Sequence, residues 1–148
     1  MPLAGTFHRV LDEKRRVAIP KPLREEMGRP TPGKLFISQG SYKTLWILTK
    51  EQFDSWGSQL HVENRSDPNW PAFWRMFCAR AELSDLDKQG RILIPDRLAE
   101  HASLGTETLL IGVFDHIQLW DPKRWAEFEQ AHEGNYDATA ERMFITKL

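Results

Sequence analysis

At 148 residues, with 41% hydrophobic and 28% charged side chains, the chain has the make-up of a soluble globular protein of one compact domain or two small ones. A net charge of −1 argues against a uniformly basic nucleic-acid coat. The single cysteine, Cys78, excludes an internal disulfide, and no stretch approaches the ~20 apolar residues of a membrane span. The N-terminus lacks the apolar core of a signal peptide, so a cytoplasmic location is expected.

In chain order, the first distinctive segment is Asp12-Glu13-Lys14-Arg15-Arg16-Val17-Ala18-Ile19-Pro20, which recurs as Asp87-Lys88-Gln89-Gly90-Arg91-Ile92-Leu93-Ile94-Pro95. Both copies read Asp-x-x-x-Arg, an apolar stretch, then Ile-Pro, so the chain is an internal duplication. Strand periodicity places Val17/Ile19 and Ile92/Ile94 inward and turns Arg16 and Arg91 to the opposite, wet face. A short helix is predicted after each Ile-Pro: 21–27, stopped by Gly28, and 96–102, stopped near Gly105.

A hairpin follows in each half. Leu35-Phe36-Ile37 turns at Gln39-Gly40-Ser41 into Leu45-Trp46-Ile47-Leu48; Leu109-Leu110-Ile111 turns near Gly112 into Ile117-Gln118-Leu119-Trp120. Each second strand feeds a helix, one capped at Thr49 with Gln52 in capping-box spacing, the other opening at Asp121-Pro122. A turn over 64–69 leads to an aromatic-rich helix over 70–80, in which Cys78 is expected to be packed and Trp70 and Trp74 share a face, as core or against a neighbouring subunit. Trp46, Trp120 and Trp125 match across the repeats or adjoin matches and are expected in the core. A last helix is expected around 138–143.

The charges differ between the copies. Residues 8–24 hold six cations against two carboxylates, a net +4, whereas residues 80–97 hold four of each. A polyanion would therefore be attracted chiefly to the first copy. Asp and Arg four apart meet again if the residues between them turn. The carboxylate can then hold the guanidinium fork for phosphate or a guanine edge, or the two can form a purely structural ion pair. Gly90 suits a positive φ; Arg15 stands at the matching position, where it is either strained or belongs to a turn of another shape. The five histidines show no metal-ligand spacing, and no nucleophile–base pair or phosphate-loop motif is present, so no enzyme, metal or cofactor is expected.

The tandem corners, each followed by Ile-Pro and a short helix, resemble the MraZ family of bacterial transcriptional regulators from near Gly5 to about Gln130. The resemblance implies an α+β, mainly β fold of tandem AbrB-like swapped-hairpin β-barrel repeats. These would form an intrachain pseudo-dimer over 5–56 and 81–130, with a connecting helical segment over 57–80 and a tail over 131–148. It implies a ring-shaped homo-oligomer, associated with the nucleoid, that binds short direct repeats of double-stranded DNA in the promoter of the division and cell-wall gene cluster. It assigns DNA contact to Asp12, Arg16, Asp87 and Arg91. Lys14 matches a position where the family commonly has lysine, Lys88 neighbours it in the second turn, and Arg15 replaces the family's usual glycine; all three complete the expected site. The alternative is an antitoxin-like protein-interaction module in which the corners are structural latches.

Overall fold

The computed structural model describes residues 2–145. Its elements are β1 (Thr6–Val10), β2 (Arg16–Ala18), α1 (Lys21–Met27), β3 (Lys34–Gln39), β4 (Leu45–Leu48), α2 (Lys50–Asn64), α3 (Trp70–Arg80), β5 (Glu82–Asp85), β6 (Arg91–Leu93), α4 (Asp96–His101), β7 (Glu107–Val113), β8 (His116–Trp120), α5 (Pro122–Glu133) and α6 (Tyr136–Ile145). The fold is α+β, organised on antiparallel sheet. None of the described helices is long and apolar enough to cross a membrane.

The strand order of the larger sheet is β1-β7-β8-β4-β3-β5, and β2 pairs with β6 in a separate two-stranded ribbon. Exchanging the halves (β1 with β5, β2 with β6, β3 with β7, β4 with β8) reproduces both orders read backwards. The duplication is therefore a pseudo-twofold, with its axis passing between β4 and β8 and through the ribbon. The halves exchange strands: β1 lies on β7 with Thr6 opposite Ile111, and β5 lies on β3 with Leu35 opposite Ser84. The expected barrel does not close. Its strands divide into the open six-stranded sheet and the ribbon, joined by the isolated bridge between Leu86 and Ile92.

One continuous core fills the space between sheet and ribbon. It takes Val17, Ile19, Ile92 and Ile94 from the ribbon segments and Leu35, Ile37, Leu45, Ile47, Leu110, Ile117 and Leu119 from the sheet. Leu23, Met27, Leu98 and Ala102 come from the helices after Ile-Pro. The inward parity of Val17/Ile19 and Ile92/Ile94 is as expected, while Leu93 between them is 49% exposed. Thr49 caps α2 by accepting from the Gln52 amide, and Asp121 caps α5 by accepting from the Arg124 amide.

Several local expectations fail. Gly112 lies inside β7 rather than in its turn; a Cβ there would meet the Ala4 backbone at 2.5 Å, so the glycine admits the N-terminal segment. The turn is instead made at Phe114-Asp115, with Phe114 at φ 63°. α4 ends in Ala102 and a left-handed Ser103 (φ 53°), before Gly105 is reached. Cys78 is exposed rather than packed. The inward stripe of α3 is Trp70, half-buried Trp74 and Phe77, and one further residue turns Cys78 about 100° off that stripe. The final helix is longer than expected, running over Tyr136–Ile145; residues 146–148 of the expected tail lie outside the described residues.

Tryptophan indoles tie the halves together. Trp56 Nε1 on α2 donates to Asp115 Oδ2 at 3.0 Å, and Asp115 Oδ1 lies 2.9 Å from His116 Nδ1. Of the three tryptophans expected in the core, only Trp120 is buried. Trp125 is half-buried beside it, and Trp46 is half-buried, edge-on to Trp56, because each lies between the sheet and a helix rather than in the space between sheet and ribbon.

Candidate nucleic-acid interface

Each Asp-x-x-x-Arg segment closes as a tight hairpin turn. The Asp12 amide donates to Arg16 O at 2.9 Å and the Arg15 amide to Asp12 O at 2.9 Å; Asp87, Gly90 and Arg91 repeat this at 2.9 and 3.0 Å. The carboxylate then completes the turn. Asp12 Oδ1 accepts from the amides of Lys14 (2.9 Å) and Arg16 (2.8 Å), leaving Oδ2 for Arg16 Nε at 3.1 Å. Asp87 Oδ1 accepts from the amides of Gln89 and Arg91 at 2.9 Å, and its Oδ2 from Arg91 Nε at 3.0 Å. The spacing of four is thus what lets one side chain bond its own turn and orient the guanidinium that leaves it.

These bonds stabilise the ionised carboxylates. Both aspartates titrate below the ordinary value, chiefly because the backbone amide of Arg16 or Arg91 donates to them, with desolvation opposing and the guanidinium adding to the effect.

The ribbon brings the corners together. Val17 faces Ile92, and Ala18 faces Arg91. Arg91 Nη1 approaches Asp12 Oδ2 at 3.8 Å, so Asp12 serves guanidiniums from both halves. The side chains of Arg16 and Arg91 are 31% and 29% exposed, held at the surface without being buried. Lys14 and Lys88 are exposed on the two turns. Arg15 adopts φ 61°, the left-handed conformation that Gly90 takes at 79°, and its Nε bonds Asp96 Oδ1 at 2.8 Å. Asp12, Lys14, Arg15, Arg16, Asp87, Lys88 and Arg91 therefore lie on the two turns at the ends of one ribbon.

A further arginine, Arg24 of α1, reaches this region. Its Nε donates to Ile19 O at 2.9 Å, and its guanidinium lies against Gly90. The sequence marks it only as one of six cations in residues 8–24, because the contact is made across the two halves.

The family model described as "MraZ protein, putative antitoxin-like" matches residues 76–147. The chain is 34% identical over 144 residues to the Transcriptional regulator MraZ of Corynebacterium urealyticum, which covers 97% of this chain and 98% of that protein. It is 30% identical to the Transcriptional regulator MraZ of Caldanaerobacter subterraneus subsp. tengcongensis over 95% of this chain and 96% of that one. It is 32% identical to that of Moorella thermoacetica over 94% of each. Similarity that runs almost end to end through both halves establishes that the chain belongs to the MraZ family.

Proposed function

We propose that the chain is a sequence-specific DNA-binding transcriptional regulator, with Asp12, Lys14, Arg15, Arg16, Asp87, Lys88 and Arg91 as its DNA-contacting surface. One observation carries the reading: Asp12 lies within ion-pair reach of both Arg16 and Arg91, so the two corners form one continuous surface of oriented guanidiniums. An arginine held by a carboxylate loses less rotamer freedom on binding, and its fork matches a phosphate or the Hoogsteen edge of guanine. Relatives named as transcriptional regulators support the same reading. The repeats over 5–56 and 81–130 act as one unit, joined by 57–80.

The target is a set of short direct repeats in the promoter of the division and cell-wall gene cluster, and the active form is a ring-shaped homo-oligomer associated with the nucleoid. Half-exposed Phe73 and Met76 on α3, beside an apolar groove of about 630 Å³ lined by Trp46, Trp56, Trp70 and Trp74, offer surface for self-association. A ring presents several near-neutral protomers with their basic turns on one frame, and repeated sites on DNA then bind at high effective concentration.

Arg16→Glu reverses a partly exposed charge. It should abolish binding to the DNA upstream of the chain's own gene in a mobility-shift titration, while circular dichroism and the oligomeric mass stay unchanged. Normal binding by this variant would refute the site. Failure of the unmutated protein to shift that DNA, with one protein partner co-purifying, would favour the antitoxin-like alternative.

A further inference from the structure

The pseudo-twofold equates position 15 with 90 and position 24 with 99. The backbone honours this: the Ile19 amide donates to Gly90 O at 2.8 Å, and the Ile94 amide donates to Arg15 O at 2.8 Å. Each turn thus sits on the other half's strand end, beside the helix that follows. The side chains break the equivalence in a complementary way.

At the second turn, a Cβ on Gly90 would lie 2.7 Å from Arg24 Cζ and Nε. The bare glycine is what lets Arg24 lie across the turn and reach Ile19 O. At the first turn, position 15 does carry a Cβ. An arginine at position 99 laid as Arg24 is would have to swing its guanidinium aside and give up the bond equivalent to that between Arg24 Nε and Ile19 O. That position is Ala99, 1% exposed. The guanidinium here belongs to Arg15, whose side chain is 42% exposed and pairs with Asp96 at the start of α4. Each junction therefore holds one arginine and one residue small enough to admit it, with the two roles exchanged between turn and helix.

We propose that Arg15 and Arg24 are the same DNA-facing cation of the two corners, delivered from the turn in one and from the helix in the other, and that Arg15/Ala99 and Gly90/Arg24 are compensating pairs. The DNA-facing part rests on the reading of the corners as a DNA surface; the compensation does not. Each guanidinium commits Nε to a protein acceptor, Asp96 Oδ1 for Arg15 and Ile19 O for Arg24. That fixes its plane and leaves the Nη edge, the pair of donors suited to a phosphate's oxygens. One arginine thereby flanks the Arg16/Arg91 centre on each side, Arg15 held by Asp96 and Arg24 by Ile19 O, which extends the surface to Arg24.

The test uses the full chain and its variants Arg15→Gly, Ala99→Arg, Arg15→Gly/Ala99→Arg and Arg24→Ala, each measured for Tm and for affinity to the upstream DNA across a salt series. Ala99→Arg alone should lower Tm or fail to fold, and adding Arg15→Gly should restore it, a non-additive cycle. Arg15→Gly and Arg24→Ala should each reduce the slope of log K against log salt by roughly 0.9, and the double variant should regain the full slope. Additive changes in Tm would overturn the compensation. Unchanged slopes for both single-arginine losses, in a protein whose binding still requires Arg16, would overturn the DNA-facing role. Should Arg16→Glu also bind normally, the corner reading itself falls, while the Tm cycle still decides the compensation.

Discussion

Asp12 and Asp87 each commit one carboxylate oxygen to the turn amides and the other to an arginine Nε, so a charge and a backbone conformation are set by the same group. Since the folded carboxylates titrate below their ordinary value of about 3.9, their contribution to stability is present above that value and is lost as pH falls through the lowered folded value. Between pH 8 and 5 the difference in Tm between the native chain and Asp12→Asn/Asp87→Asn should therefore stay flat, and it should shrink as acid protonates the native carboxylates. At neutral pH, Asp87→Asn keeps an oxygen for the turn amides but places an amide or an uncharged oxygen against Arg91. We expect weaker DNA binding and a modestly lower Tm, a smaller drop than that of the double variant, read by titration and by thermal melting. The four-residue spacing made this latch legible in the sequence, whereas the alternatives for Arg15 were decided only by its φ of 61°. Arg24 was not legible, because its neighbour Gly90 belongs to the other half.

At the scale of elements, short strands, helices and caps follow from local pattern. Pro22 lies in the first turn of α1 and Gly28 ends it at φ 151°. Alternation in β2 and β6 buries one face and leaves Leu93 out. The ribbon is three residues wide on each side, too short to persist without its buried face. Ile92→Ala, at a fully buried site opposite Val17, should cost about 2–5 kcal/mol in a urea titration and weaken DNA binding through loss of the ribbon. What pattern misread at this scale were positions settled by a neighbour. Gly112 lies in a strand because the N-terminal segment packs against it, and Cys78 is exposed because Trp74 and Phe77, its aromatic sequence neighbours, lie on the other side of α3.

The whole molecule is held together by exchange. β1 of the first half finds its partner in β7, and β5 of the second half in β3, while each turn receives an amide from the other half's strand end. A half chain would lack partners for one sheet strand and for its ribbon strand. Residues 1–80 expressed alone should therefore either remain unfolded or recover the pseudo-twofold as a dimer, distinguished by circular dichroism and light scattering; a folded monomer would contradict the interdependence of the halves. The charge asymmetry between the copies belongs to this scale too. Because the turns abut through Asp12 and Arg91, the net +4 of residues 8–24 acts on one shared surface rather than on one of two separate sites.

By itself, the sequence determined the duplication, the Asp–Arg latches, the inward parity of the strands, the helices after Ile-Pro and the family, since each is written in spacing within about ten residues or in likeness across the chain. Tertiary structure alone decided that the sheet stays open, which strands pair across the halves, that Asp12 serves both corners and that Arg24 fits against Gly90. Those outcomes depend on which hydrogen-bonding edges and side chains meet across 75 positions of chain, and local periodicity carries no record of such meetings.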